Sequence, residues 1–175
     1  MTVTSGRALM LQGGEQLFAD SDTFRERIGT DDEGTAKKHV YFGETELPAE
    51  STPRETLAKL RPYVILEIAD HQFDPLGMSD NADFGESGGL AAKIVDNPRA
   101  TSHKVAKLDF EEYVGNVLRD IADLMGRDQV GSYTYFPFLR IRQLAAADRP
   151  RPAERRGDDF FEIWVLFEYT VGVSL

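Results

Sequence analysis

The chain has 175 residues, of which 41% are hydrophobic and 29% charged, a balance that supports one globular domain and excludes global disorder. Twenty Lys plus Arg stand against thirty Asp plus Glu, and the net charge of −10 argues against general nucleic-acid binding, whose affinity comes from neutralising phosphates. The absence of cysteine excludes disulfides, thiolate nucleophiles and Cys-based zinc sites. No apolar run reaches the roughly 20 residues that span a bilayer, and "MTVTSGRALMLQGG" is a poor signal peptide, so the expectation is a soluble protein made in the cytoplasm.

Residues 7–20 predict a first helix with Met10, Leu11, Leu17 and Phe18 inward, weakened by Gly13 and Gly14, each of which costs about 1 kcal/mol inside a helix. "SDTFRERIG" predicts a second, short helix, with Thr23 and Glu26 at capping-box spacing and Gly29 as its stop. "TDDEGTAKKHVYF" starts helical and ends extended at Val40, Tyr41 and Phe42, and 43–56 reads as a polar connection. "RPYVILEIAD" (61–70) is a β-branched strand that opens after Pro62. Residues 71–89, rich in Gly and Asp, read as a long hairpin loop, and 90–96 as the partner strand.

The surest element is a helix over 108–128. Phe110, Tyr113, Val114, Val117, Leu118, Ile121, Leu124 and Met125 fall on one stripe, Asp109 and Glu112 read as its capping box, and Gly126 as its end. A third strand follows over 132–144, then an arginine-rich loop over 145–158. The last strand, 160–173, alternates strictly. Phe161, Ile163, Val165, Phe167, Tyr169, Val171 and Val173 form a core face, while Glu162, Trp164, Leu166 and Glu168 form a half-polar face that suits a helix or a neighbouring subunit. The sum is an α+β fold in a single domain over 1–175: a helical N-terminal part (1–44), then sheet plus helix (61–175). It holds a roughly four-stranded antiparallel sheet with one long amphipathic helix packed on it.

No catalytic motif is present. His39, His71 and His103 sit in no nucleophile or zinc pattern, "GESGG" (85–89) has the wrong glycine spacing for a serine-hydrolase elbow, and no phosphate-binding glycine loop occurs. The expectation is a protein without catalytic residues, cofactor or metal. Asp70, His71, Asp74, Asp80, Asp83 and Glu86 could attract a hard cation, but their spacing is not that of an EF-hand. The candidate contact residues are Arg140, Arg142, Arg149, Arg151, Arg155 and Arg156, gathered in seventeen residues of an acidic chain, together with Trp164. A planar guanidinium fork suits carboxylate and phosphate alike, so these could bind another copy of this chain or DNA.

The order of parts resembles a family: the helical stretch "LFADSDTFRERIG", then "RPYVILEIAD", a hairpin, the helix "FEEYVGNVLRDIADLMG", a basic loop, and the closing strand "FEIWVLFEYTVG". This layout is similar to the tail terminator (tail completion) proteins of long-tailed bacteriophages of the lambda type. The resemblance implies a structural virion protein without catalysis. It implies a ring, of six copies in that family, at the head-proximal end of the tail. Such a ring ends tail-tube polymerisation and meets the head connector. The implied partners are further copies of itself, the tail tube protein and a head-completion or connector protein, with genomic DNA passing through the lumen without specific binding and no membrane. The alternatives are another neck protein (head-closure or tail-to-head joining), a small acidic metal-dependent enzyme, and an interaction module of an ordinary cell.

Overall fold

The computed structural model describes residues 6–43, 61–75, 83–98, 102–125, 129–130, 133–134, 138–143, 154–156 and 160–174. Helix α1 (Gly6–Asp20) buries Met10, Leu17 and Phe18 completely and Leu11 in part. Its glycines do not break it, because a Cβ on Gly14 would stand 2.5 Å from Leu90 Cδ2 and 3.1 Å from Leu66 Cδ1. The missing side chain lets the helix lie close on the sheet, and that packing offsets the helix-propensity cost.

Helix α2 (Asp22–Ile28) is capped by Ser21, whose side chain accepts from the Phe24 N–H. The cap expected at Thr23 with Glu26 is therefore two residues out of place: Ser21 already has the extended backbone an N-cap needs. Gly29 ends the helix as expected, in the left-handed conformation at φ 82°. Helix α3 (Glu33–Lys37) is capped by Asp32, which accepts from the Thr35 N–H at 2.6 Å. Hydrogen bonds from the Thr35 hydroxyl and from its N–H hold the Asp32 carboxyl below its ordinary range.

Strand β1 (Val40–Phe42) follows and pairs in parallel with β2 (Tyr63–Pro75). β2 pairs antiparallel with β3 (Asp83–Asp96). Helix α4 (His103–Met125) comes next, then a two-stranded ribbon of β4 (Gln129–Val130) and β5 (Tyr133–Thr134). β6 (Phe138–Gln143), β7 (Glu154–Arg156) and β8 (Phe160–Ser174) complete the chain. The main sheet runs β1-β2-β3-β8-β6, with β7 also on β8. The four expected strands form its antiparallel centre, and β1 makes the sheet mixed.

Three expectations change. The 71–89 stretch is strand at both ends: β2 continues to Pro75 and β3 starts at Asp83, paired from Asp70↔Gly89 to Pro75↔Phe84, and 76–82 lie outside the described residues. Its glycines serve close approach at a bulge between Ile68 and Asp70, where a Cβ on Gly88 would lie 2.2 Å from the Asp70 carbonyl oxygen. The long helix begins at His103, not 108, with Ser102 Oγ accepting from the Val105 N–H at 3.3 Å. Asp109 and Glu112 thus lie inside the helix and cap nothing. The strand expected over 132–144 is split between β5 and β6.

The core lies on one face of the sheet. Val64, Leu66, Leu90, Ile94, Ile163 and Phe167 meet α1, α2 and α4 there. α4 contributes Ala106, Phe110, Tyr113, Val114, Val117, Ile121 and Leu124, and Leu118 and Met125 pack at its margin. Each large side chain so buried contributes about 1.5–3 kcal/mol.

Candidate functional site: the charged sheet face and an arginine clamp

The closing strand places one parity against the helices: Phe161, Ile163, Val165, Phe167 and Tyr169 are all buried. The opposite parity, Glu162, Trp164, Leu166 and Glu168, lies on the other face. That face carries a small separate cluster of Tyr63, Ile65 and Val95, with Tyr41 against it, to which no described helix contributes. The Tyr41 and Tyr63 rings meet edge-on at 5.9 Å.

Trp164 is half-buried on this face and is held from β3. Lys93 is its register partner, with Nζ 5.6 Å from the indole centroid and 3.4 Å from Glu162 Oε2. A cation sandwiched between a carboxylate and an aromatic ring fixes both neighbours. Next to it β6 enters in register: Arg140 opposes Glu168 and Arg142 opposes Leu166. Two of the arginines named from sequence therefore join Trp164 on adjacent strands. Arg155 and Arg156 lie in β7, opposite Phe161 and Phe160 at the start of β8. For these four arginines the structure describes backbone placement, and Arg149 and Arg151 lie outside the described residues. Among the described residues β6 has one strand neighbour, β8, and β1 has one, β2. Both therefore present edges to which another chain could add.

A second polar constellation was not visible in the sequence. Arg27 of α2 reaches across to the end of β3 and to α4. Its Nε donates to Asp96 Oδ2 at 2.8 Å, and its guanidinium also pairs with Asp109 while lying 5.1 Å over the Tyr113 ring. Burial works against the Arg27 charge, but the bond to Asp109 and the Asp96 carboxylate outweigh it and hold its pKa above the usual range. Asp96 behaves oppositely: burial pushes its carboxyl up, and Arg27 only partly reverses this. The difference is physical, because the Asp96 side chain is 6% exposed and Arg27 28%. Burial, followed by the nearby Asp96, also pushes the Tyr113 phenol well up. The clamp floors an open cleft of about 440 Å³ bounded by Thr23, Glu26, Glu112 and Asn116. Beyond it, Asp120 of α4 accepts from Ser21 Oγ at 2.9 Å and from the Thr23 N–H at 2.8 Å. Both sets of bonds fix α2 on α4, and the Ser21 hydroxyl that Asp120 holds is fully buried.

Of the residues that could attract a hard cation, Asp70, His71 and Asp74 lie in β2 and Asp83 and Glu86 in β3, while Asp80 lies outside the described residues. His71 Nδ1 lies 2.6 Å from the Tyr169 hydroxyl, on the core side, while Asp70 is exposed. Among the described residues no three His, Asp or Glu side chains are placed to hold a metal ion, and no described helix is long and apolar enough to cross a membrane.

No family model matches the chain, and no curated protein is significantly similar to it.

Proposed function

We propose that this protein is a structural assembly subunit of a long-tailed phage neck. In this reading it forms a head-to-tail ring that ends tail-tube growth and joins the tail to the head connector. The observation that carries the reading is the division of the sheet into two unlike faces. One is saturated by α1, α2 and α4. The other bears Trp164, Lys93, Glu162 and Glu168, beside an arginine-bearing strand that ends the sheet among the described residues. A ring needs one patch to meet a different patch on its neighbour, and an acidic body with a local run of arginine supplies such a pair. Complementary charge sets register and partner choice more than raw affinity. The net charge of −10 also suits a lumen through which DNA passes without adhering. The element order, helices then hairpin then long helix then closing strand, supports the same assignment.

Native mass spectrometry and electron microscopy of the purified protein, alone and with purified tail tubes, test this directly. Closed rings that cap tube ends are expected. A protein that stays monomeric with tubes, or that binds connector and not tube, overturns the terminator assignment.

A further inference from the structure

We propose that the outward face of α4 is a second self-association surface, which pairs two copies of this chain antiparallel about Leu108. The inference does not depend on the ring. It starts from Val105 and Leu108, the large hydrophobic side chains left most open to water among the described residues, at 50% and 61% exposure. They sit three residues apart, within one turn of a helix whose opposite side is the protein's main core. Single exposed apolar residues are ordinary, but two neighbours on a rigid helix form a small sticky patch.

The charges beside that patch name the occupant. Lys104, Leu108 and Glu111 fall at i, i+4 and i+7, on one stripe, and all three are exposed. Neither Lys104 nor Glu111 takes part in an ion pair or hydrogen bond among the described residues. Along the axis Lys104 precedes Leu108 by about 6 Å and Glu111 follows it by about 4.5 Å. The stripe therefore reads positive, apolar, negative, with nearly equal arms. A two-fold axis through Leu108 sets Leu108 on the partner's Leu108. It brings each Lys104 against the partner's Glu111, so two ion pairs flank one apolar contact. Val105 is covered beside them. A stripe of this order is complementary to itself, which is what an isologous contact requires. Parallel docking would instead oppose lysine to lysine. The surface is only about two turns long, well short of the area of a stable standard interface, so the pairing is weak and concentration-dependent.

Sedimentation equilibrium on the purified chain, with native mass spectrometry alongside, tests the pairing. The wild type should show a reversible twofold association. Leu108→Glu should raise the dissociation constant by about tenfold or more. Lys104→Glu and Glu111→Lys should each weaken pairing several-fold, and the two together should recover it. All three positions are exposed, so circular dichroism should show an unchanged fold. A wild type without twofold association, a dissociation constant indifferent to Leu108→Glu, or a double swap no better than either single swap overturns the proposal. A ring that persists in Leu108→Glu while its pairing is lost leaves both proposals standing. Pairing without rings removes the ring alone, and rings without pairing remove this inference alone.

Discussion

Replacing Arg27 by methionine isolates the charge of the clamp from its packing. Methionine keeps the apolar stem and loses the guanidinium that lies over the Tyr113 ring, so the change withdraws the cation from Asp96, Asp109 and that ring together. The two carboxylates respond differently. Asp109 is 45% exposed and rehydrates, whereas Asp96, at 6%, stays buried without a counter-charge. Breaking one side of a buried pair costs about 3–5 kcal/mol. The 28% exposure of Arg27 means that water reaches part of the vacated space, which lowers the expected loss to about 2–3 kcal/mol. For a chain of this size that corresponds to about 4–12 °C in Tm. The loss has a pH signature. Burial holds the Asp96 pKa above the unfolded value of 3.8, so the folded state takes up the proton more readily than the unfolded one. The stability tied to that proton is present at low pH and is lost as pH rises through the folded pKa. Without Arg27 the folded pKa rises further, so the penalty of the substitution is greatest at neutral pH and shrinks on acidification. Urea unfolding of wild type, Arg27→Met, Asp96→Asn and the double variant, between neutral pH and about pH 4.5, measures this. The reasoning fails if the loss is the same at both ends of that range, or if Asp96→Asn restores nothing in the Arg27→Met background.

Tyr113→Phe should stabilise the protein by about 1 kcal/mol in chemical denaturation, because the Tyr113 hydroxyl is buried with no hydrogen-bond partner among the described residues. Gly88→Ala should cost about 3 kcal/mol, since the new methyl meets backbone at Asp70; Gly14→Ala should cost about 1 kcal/mol or less, since it meets the movable end of Leu90 and gains helix propensity. Thermal melts of the two variants side by side check the order. Arg155→Glu with Arg156→Glu should leave the monomer folded by circular dichroism and weaken ring assembly by about tenfold in sedimentation velocity.

The parts of the fold legible in the sequence are those where burial imposes a period. Phe161 to Tyr169 alternate because one face of β8 meets helices, and Phe110 to Leu124 recur at helical spacing because α4 lies on that core. The strand segments 71–75 and 83–89 were not legible because glycine and aspartate carry turn propensity, while the reason they sit in strands is tertiary. Gly88 is needed by the backbone of Asp70, eighteen residues earlier, and Gly89 by Leu166, whose Cδ1 would lie 2.7 Å from a Cβ there. Asp109 was misassigned for a related reason. Local spacing offered it a capping role with Glu112, but its partner is Arg27, eighty-two residues away, and no local pattern carries that pairing. Of the candidate site, the shared parity of Arg140 and Arg142 was readable from alternation alone. Their alignment with Glu168 and Leu166 needed the register.

The two faces of the sheet give β8 two roles. On the helix side its Phe161, Ile163, Val165, Phe167 and Tyr169 belong to the core. Yet it runs to Ser174 and pairs with β3 along its whole length, from Asp96↔Phe161 to Asp83↔Ser174. β6 and β7 attach to β8 within its core segment, β6 along Val165 to Tyr169 and β7 along Phe160 to Glu162. Arginines mounted on a support continuous with the core lose less side-chain and loop entropy on binding than arginines on a free loop. A surface built for contact gains from that economy, whereas a solvating loop does not, and this is the physical reason to read the arginine-bearing strands as part of an interface.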